Sequence, residues 1–345
     1  MPRPDFVREL LTAESALSDA EACRAMNAAV AHIVTMQEVA GLDVVTDGEW
    51  RRASYIGVIA ELAHGFQVGT NPADGRPWTT AVETLAPREP GFIAAEARFL
   101  KETTHKQTKV TLPAPALLGE RMWDPERSRA AYPTRRSFVE ACIPILRREL
   151  ERVCAEGVDV IQIDDPYLCL FVDPEVRSRY DDAEAEADFS VAANNALLEG
   201  LEGVTRAVHL CRRAGARVRG EAFHSGGYEV ISSQINQLTA DHLTMEFASP
   251  AAGTLEALAG LREDLEIGLG CVSVEPGVVD TRETIVARVE GALQVLSPER
   301  VVLNPDCGFA PGSAARVDVD EVYKKLKEMV AAAEILRERY GERAA

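Results

Sequence analysis

Short apolar runs alternate with longer amphipathic stretches along most of this 345-residue chain. The runs Asp43–Thr46, Lys109–Leu112, Val158–Asp164, Val204–Leu210, Leu243–Phe247, Leu265–Gly270 and Val301–Asn304 have the length and β-branched content of strands. Helical spacing of apolar residues runs through 18–40, 135–156, 189–202, 228–238, 250–262 and 281–296, and a charged stretch at 317–340 closes the series. Strands that alternate with helices predict right-handed βαβ units and a parallel sheet. Seven strands, with room for an eighth, fit an α/β (β/α)8 TIM barrel better than an open sheet. Residues 65–106 break the rhythm. They are rich in Gly, Pro and Thr, and Phe92–Leu100 reads as weakly extended, so a hairpin-like insertion is expected there. No internal repeat is visible, and the reading is of one domain over 1–345.

Composition narrows the functional classes. Hydrophobic residues make up 46% of the chain, ample for a packed core, while the formal net charge is −18. That balance speaks against nucleic acid and anionic membrane surfaces as partners, since both attract a positive footprint. No run approaches the roughly 18–20 apolar residues of a membrane helix. The opening Met-Pro-Arg-Pro-Asp lacks the apolar core of a secretory signal, so a soluble, cytoplasmic protein is expected. Seven cysteines, an odd number without a compact framework, read as thiols. Cys23, Cys142 and Cys154 sit in helical patterns as small buried hydrophobes, and Cys271, with apolar neighbours, reads as a core thiol.

Four soft-metal ligands stand at the ends of apolar runs. They are His209 and Cys211, Glu246, and Cys307. In a parallel α/β fold, residues just past the carboxyl ends of strands converge on one mouth. His209 and Cys211 are two apart, so they share a face if the segment stays extended. A lone strand-end histidine is more often a satisfied polar residue than a ligand. Two thiolates, an imidazole and a carboxylate together suit four-coordinate zinc, and an exchangeable carboxylate leaves a position for an incoming sulfur.

Two acidic segments point to the same mouth. Asp47-Gly48-Glu49 could hold a substrate ammonium, or could equally be a turn with acids favoured by a helix dipole. The run ending in Asp164-Asp165-Pro166 fixes a carboxylate at a strand end, where an unpaired acid is costly. The stretch His224-Ser-Gly-Gly-Tyr228 lacks full phosphate-loop spacing and reads as a flexible loop. His32, His64, His105 and His242 receive no role.

Taken together, Thr46-Asp-Gly-Glu49, Ile161-Gln-Ile-Asp164-Asp-Pro166, His209-Leu-Cys211, Met245-Glu246, Gly277-Val-Val-Asp280 and Asn304-Pro-Asp-Cys-Gly308 resemble the cobalamin-independent methionine synthase family. The likeness is to its C-terminal catalytic barrel and short single-barrel relatives, and covers about residues 40–310. The resemblance implies zinc held by His209, Cys211, Glu246 and Cys307, with Glu49 and Asp164 on the amino group of a homocysteine-like thiol. It also implies methyl transfer to that thiol, from a methyl-folate or methylcobalamin donor. Asp280 and Asp306 are candidates to support a ligand or a proton path. Two departures stand out. Arg282 occupies the place of the family's proton-donating histidine, and the family's first barrel strand is expected to be missing, its place open to a partner subunit or second copy. The alternative reading is a zinc enzyme of the type that joins coenzyme M to an epoxide. Its anionic thiol would need a cationic cluster, for which Arg51, Arg52 or Arg212 are candidates.

Overall fold

The computed structural model describes residues 1–11, 18–71, 77–212, 226–309 and 318–341. Seven strands form one parallel sheet: β1 (Val44–Val45), β4 (Gln107–Pro113), β5 (Val160–Asp164), β6 (Thr205–Leu210), β7 (His242–Glu246), β8 (Glu266–Val272) and β9 (Val301–Pro305). They pair in chain order, β1-β4-β5-β6-β7-β8-β9. All seven expected strands are therefore present, in a curled, barrel-like α/β sheet. Among the described residues no eighth strand joins β1 to β9, which stay at the two edges.

The remaining two strands, β2 (Ala63–Thr70) and β3 (Pro77–Pro87), pair antiparallel as the hairpin expected in the irregular region. Phe92–Leu100, expected to be extended, is instead part of a helix over Phe92–Thr103. Its Ala, Glu, Arg, Leu and Lys residues favour helix, and Ile93, Ala97 and Leu100 fall on one buried face. The expected helices 228–238 and 250–262 are corrected too. Each is reduced to short turns, Tyr228–Ile231 with Ser232–Ile235, and Pro250–Ala252 with Leu255–Gly260. Gly253 and Gly260 interrupt the second, and helix formation does not propagate well through glycine.

The long helices follow their signals closely. Asp19–Ala40 opens on a capping box between Ser18 and Glu21, and Arg135–Ala155 is capped by Thr134. Helices Ala183–Leu198, Arg282–Ala292 and Val319–Tyr340 complete the outer layer. Alternate strand residues, among them Val110, Ile161, Val208, Leu243 and Leu269, are buried against these helices.

The other set of alternate residues faces inward and departs from the usual branched apolar filling of such barrels. Lys109, Gln162, Asp164, His209, His242 and Thr244 line a cavity of about 1800 Å³ that runs from mouth to floor. The cavity also reaches Val301, Val302 and Leu303 on β9, which are half-buried.

Candidate metal centre

His209 and Cys211 come from the end of β6, Glu246 from the last residue of β7, and Cys307 from just beyond β9. The parallel register sets His209 opposite Thr244, and Glu246 opposite Gly270, which in turn faces Asn304. Their donor atoms all lie within 4.8 Å of one another. Cys211 Sγ is 3.2 Å from Glu246 Oε1 and 3.6 Å from Cys307 Sγ.

Main-chain clamps hold these strand ends together. The buried Tyr228 hydroxyl donates to the Leu210 carbonyl (2.7 Å) and accepts from the Glu246 N–H (3.0 Å), bridging β6 to β7. Asp306 Oδ1 accepts from the N–H groups of Phe247 (2.9 Å) and Ala248 (2.8 Å), bridging β9 to β7. Between them Gly270 has no room for a side chain, since a Cβ there would meet Met245 O at 2.5 Å and Asp306 Oδ1 at 2.6 Å. Asp306 thus acts on the backbone around Glu246 and does not line the cavity.

The donor set suits a divalent cation. Glu246 is fully buried, and His209 presents Nε2 to the interior without a hydrogen-bond partner. Burial opposes a charge on His209, but Asp164 and the Cys211 sulfur outweigh it and push its pKa up to about 10. The Cys211 thiol is pushed up by its contact with Cys307, by burial and by the charge of Glu246. In both cases the site retains protons to offset its own negative charge, the balance that a bound cation inverts. The chemistry of two thiols, one imidazole and one carboxylate is that of zinc.

Glu49 and Asp164 line the same cavity as the cluster. Glu49 lies in a turn with φ 56°, a left-handed conformation uncommon for a residue with a side chain. Its carboxylate pairs with Arg52 (3.1 Å) and accepts from the Thr111 hydroxyl. Asp164 Oδ1 accepts from Gln162 Nε2 (2.7 Å) and meets His209 Nδ1 at 3.1 Å. Asp280 stands apart. It accepts from Ser273 N–H (2.7 Å), pairs with Arg288 (2.8 Å) and does not line the cavity. Arg282, at the start of its helix, pairs with Glu328 at 2.9 Å, also off the cavity. His224 and Ser225 lie outside the described residues.

All seven cysteines are free thiols, and Cys271 is buried as expected. Cys23 is exposed, which corrects the reading of it as buried. Tyr55 was missed by sequence reasoning. It lines the mouth with part of its surface exposed, and desolvation of its hydroxyl together with the charges of Cys211, Asp164 and Cys307 raises its pKa. No motif marked it. Only the turn after Glu49 brings it to the cavity that the thiols line.

The family described as "Cobalamin-independent synthase, Catalytic domain" matches residues 6–335. The chain belongs to that family. Methionine synthases of Saccharolobus islandicus and Saccharolobus solfataricus are each 26% identical to this member, over 98% of its length and 92% of theirs. A B12-independent methionine synthase from Shewanella sp. W3-18-1, solved with selenomethionine, superposes with a TM-score of 0.77 at 21% identity, covering 98% of this chain and 96% of that one. A putative vitamin-B12-independent methionine synthase from Listeria monocytogenes gives 0.71 at 22% identity, covering 97% and 95%. These likenesses make the chain a cobalamin-independent synthase-type transferase in a barrel-like fold. Among the described residues no helix is long and apolar enough to cross a membrane.

Proposed function

We propose that this synthase-family member holds zinc through His209, Cys211, Glu246 and Cys307 and methylates a homocysteine-like thiol. The observation that carries the reading is the convergence of those four donors within 4.8 Å, with His209 Nε2 buried on the side of the Cys211 sulfur. Zinc bound there supplies a cation that brings a thiol, ordinarily of pKa about 8.5, to its thiolate near neutrality.

The protein's own groups do the rest. Cys211, Cys307 and His209 are the lasting ligands, and Glu246 is the ligand most able to yield to an incoming sulfur. Asp164 and Glu49 face the cavity as carboxylates and orient the substrate ammonium. Arg52, itself bonded to Glu96 (2.9 Å) and the Thr111 carbonyl (2.8 Å), keeps Glu49 in place. In-line displacement requires the methyl donor opposite the sulfur, and a cavity of about 1800 Å³ has the volume to take one. Methyl-folate and methylcobalamin are the two candidate donors.

The surroundings favour an amino-acid thiol over a sulfonate. Glu49 and Asp164 are among the carboxylates that line the cavity, and the three candidate arginines are engaged elsewhere. Arg52 is buried between Glu49 and Glu96, Arg212 donates to the Ala252 carbonyl (3.0 Å), and Arg51 lies over the Phe99 ring. The test is metal analysis of the purified protein, followed by assay of methionine formed from homocysteine with each donor. About one zinc per chain and methionine from one of the donors is the expected result. A metal-free protein, or a zinc protein that uses an epoxide and coenzyme M thiol instead, would overturn the reading.

A further inference from the structure

Below the metal cluster, the barrel interior holds a polar chain that methyl transfer as described above leaves unused. Its members come from alternate positions of β4, β5, β7 and β8, so the pleat turns them all inward. Lys109 Nζ donates to Gln162 Oε1 (3.2 Å), and Gln162 Nε2 donates to Asp164 Oδ1 (2.7 Å). Thr244 Oγ1 lies 3.1 Å from Gln162 Oε1, and His242 Nε2 lies 3.1 Å from Thr244 Oγ1. His242 Nδ1 is 2.6 Å from Glu266 Oε1 at the floor.

With Asp164 and Glu266 ionised and every contact in this chain a hydrogen bond, the hydrogens distribute in one way. Reversing the Gln162 amide would set its carbonyl against the Asp164 carboxylate and its NH2 against the Lys109 amine. With Oε1 toward Thr244, the only hydrogen between those two oxygens is the hydroxyl's, so Thr244 donates. Its single hydrogen is then spent, so Thr244 accepts from His242, and Nε2 carries a proton. The Glu266 carboxylate only accepts, so Nδ1 carries one as well.

We propose that His242 is a positioning residue that donates from both ring nitrogens and, through Thr244 and Gln162, fixes the Asp164 carboxylate against His209 Nδ1. His209 is thereby turned with Nε2 toward the thiols. Its use there as a ligand rests on the zinc reading above, whereas the proton count on His242 does not. The chain is not a proton wire, because the Gln162 amide donates on one side and accepts on the other and would have to reverse to pass a proton on.

The test has two parts. In histidine-15N-labelled protein at neutral pH, both ring nitrogens of His242, assigned from the signal lost in His242→Gln, should show the shifts of protonated nitrogens. A bare nitrogen would overturn the proposal. Zinc affinity, by chelator competition, is then compared in His242→Gln and His242→Leu, with circular dichroism confirming the fold. Gln still offers an N–H to Thr244 and should bind zinc within about twofold of the parent. Leu should weaken binding by roughly 3- to 10-fold, below the 10- to 100-fold typical of direct outer partners of a ligand. Equal affinity in both folded variants would overturn the positioning role. Should the Leu variant fail to fold, the proton count in the parent protein decides. A parent protein that binds no zinc would sink the metal reading alone, since the His242 spectrum is read without metal.

Discussion

The two sides of the mouth share main-chain clamps and differ in how the working side chain is held. Around β6, β7 and β9 the ligand-bearing strand ends are tied by side chains that grip main-chain groups, Tyr228 on Leu210 and Glu246, Asp306 on Phe247 and Ala248. On the β1 side the main chain is gripped as well, by Arg3 on the Glu49 carbonyl and by Gln37 on Thr46, but the Glu49 carboxylate, in its left-handed turn, is held only by ion pairing and a hydroxyl. A backbone clamp fixes where a residue starts from, while a side-chain ion pair can be traded for another cation. The first suits lasting metal ligands and the second suits a group that must receive and release an ammonium.

The sharpest way to break this contrast is at a ligand. Cys307→Ser is expected to lose most of the bound zinc, a fall in affinity beyond about 100-fold and so larger than any loss of an outer partner. Metal analysis checks it, and stoichiometric zinc in that variant would remove the ligand assignment. Next comes the clamp. Asp306→Ala touches no donor atom, yet it strips the Ala248 N–H of its acceptor and leaves the Phe247 N–H with the Gly270 carbonyl alone, costing about 1–3 kcal/mol of stability. Because it also frees the backbone beside Glu246, zinc affinity should fall by about 10- to 100-fold. Chelator competition and thermal melting read the two effects separately.

On the other side of the mouth, Glu49→Gln should leave zinc content intact and raise the KM for homocysteine by about tenfold, or ~1.4 kcal/mol. A matching thiol without the amino group should not distinguish the variant from the parent, and an unchanged KM would remove the ammonium role. The smallest effect lies far from the mouth. Hydrogen bonds from Arg206 hold the Asp241 carboxylate below its ordinary 3.8. A lowered acid contributes stability above its unfolded pKa and loses it as the pH falls through the folded value. Acid melting curves should therefore be shallower in Asp241→Asn than in the parent below pH 3.8.

Much of this architecture was legible because strands and ligands announce themselves by kind. Runs such as Val158–Asp164 leave little choice but a buried strand, and two cysteines, a histidine and a glutamate at strand ends share one chemistry. Phe92–Thr103 was misread because its surroundings, rich in Gly and Pro, outweighed its own helix-forming residues. The inward polar column was not legible at all. Lys109, Gln162 and Thr244 look like the solvent-facing half of an alternating strand, and only curling of the sheet turns that face into an interior. Tyr228 was hidden for a related reason, as was the hold of Asp306, a candidate by position, on the backbone beside Glu246, since main-chain partners carry no signature in a sequence. Arg282 stood out as a departure from the family pattern, yet its guanidinium is committed to Glu328 and turned away from the chemistry.

The edges at β1 and β9 carry a consequence for the electrostatics of the interior. A closed barrel would seal Lys109, His242 and Glu266 in a dry core, where charge is expensive. Here the hollow extends sideways to the half-buried Val301, Val302 and Leu303. An opening along that side raises the effective dielectric around the floor and eases, without removing, the burial that lowers the Lys109 pKa at the centre of a fold whose middle is ordinarily oily.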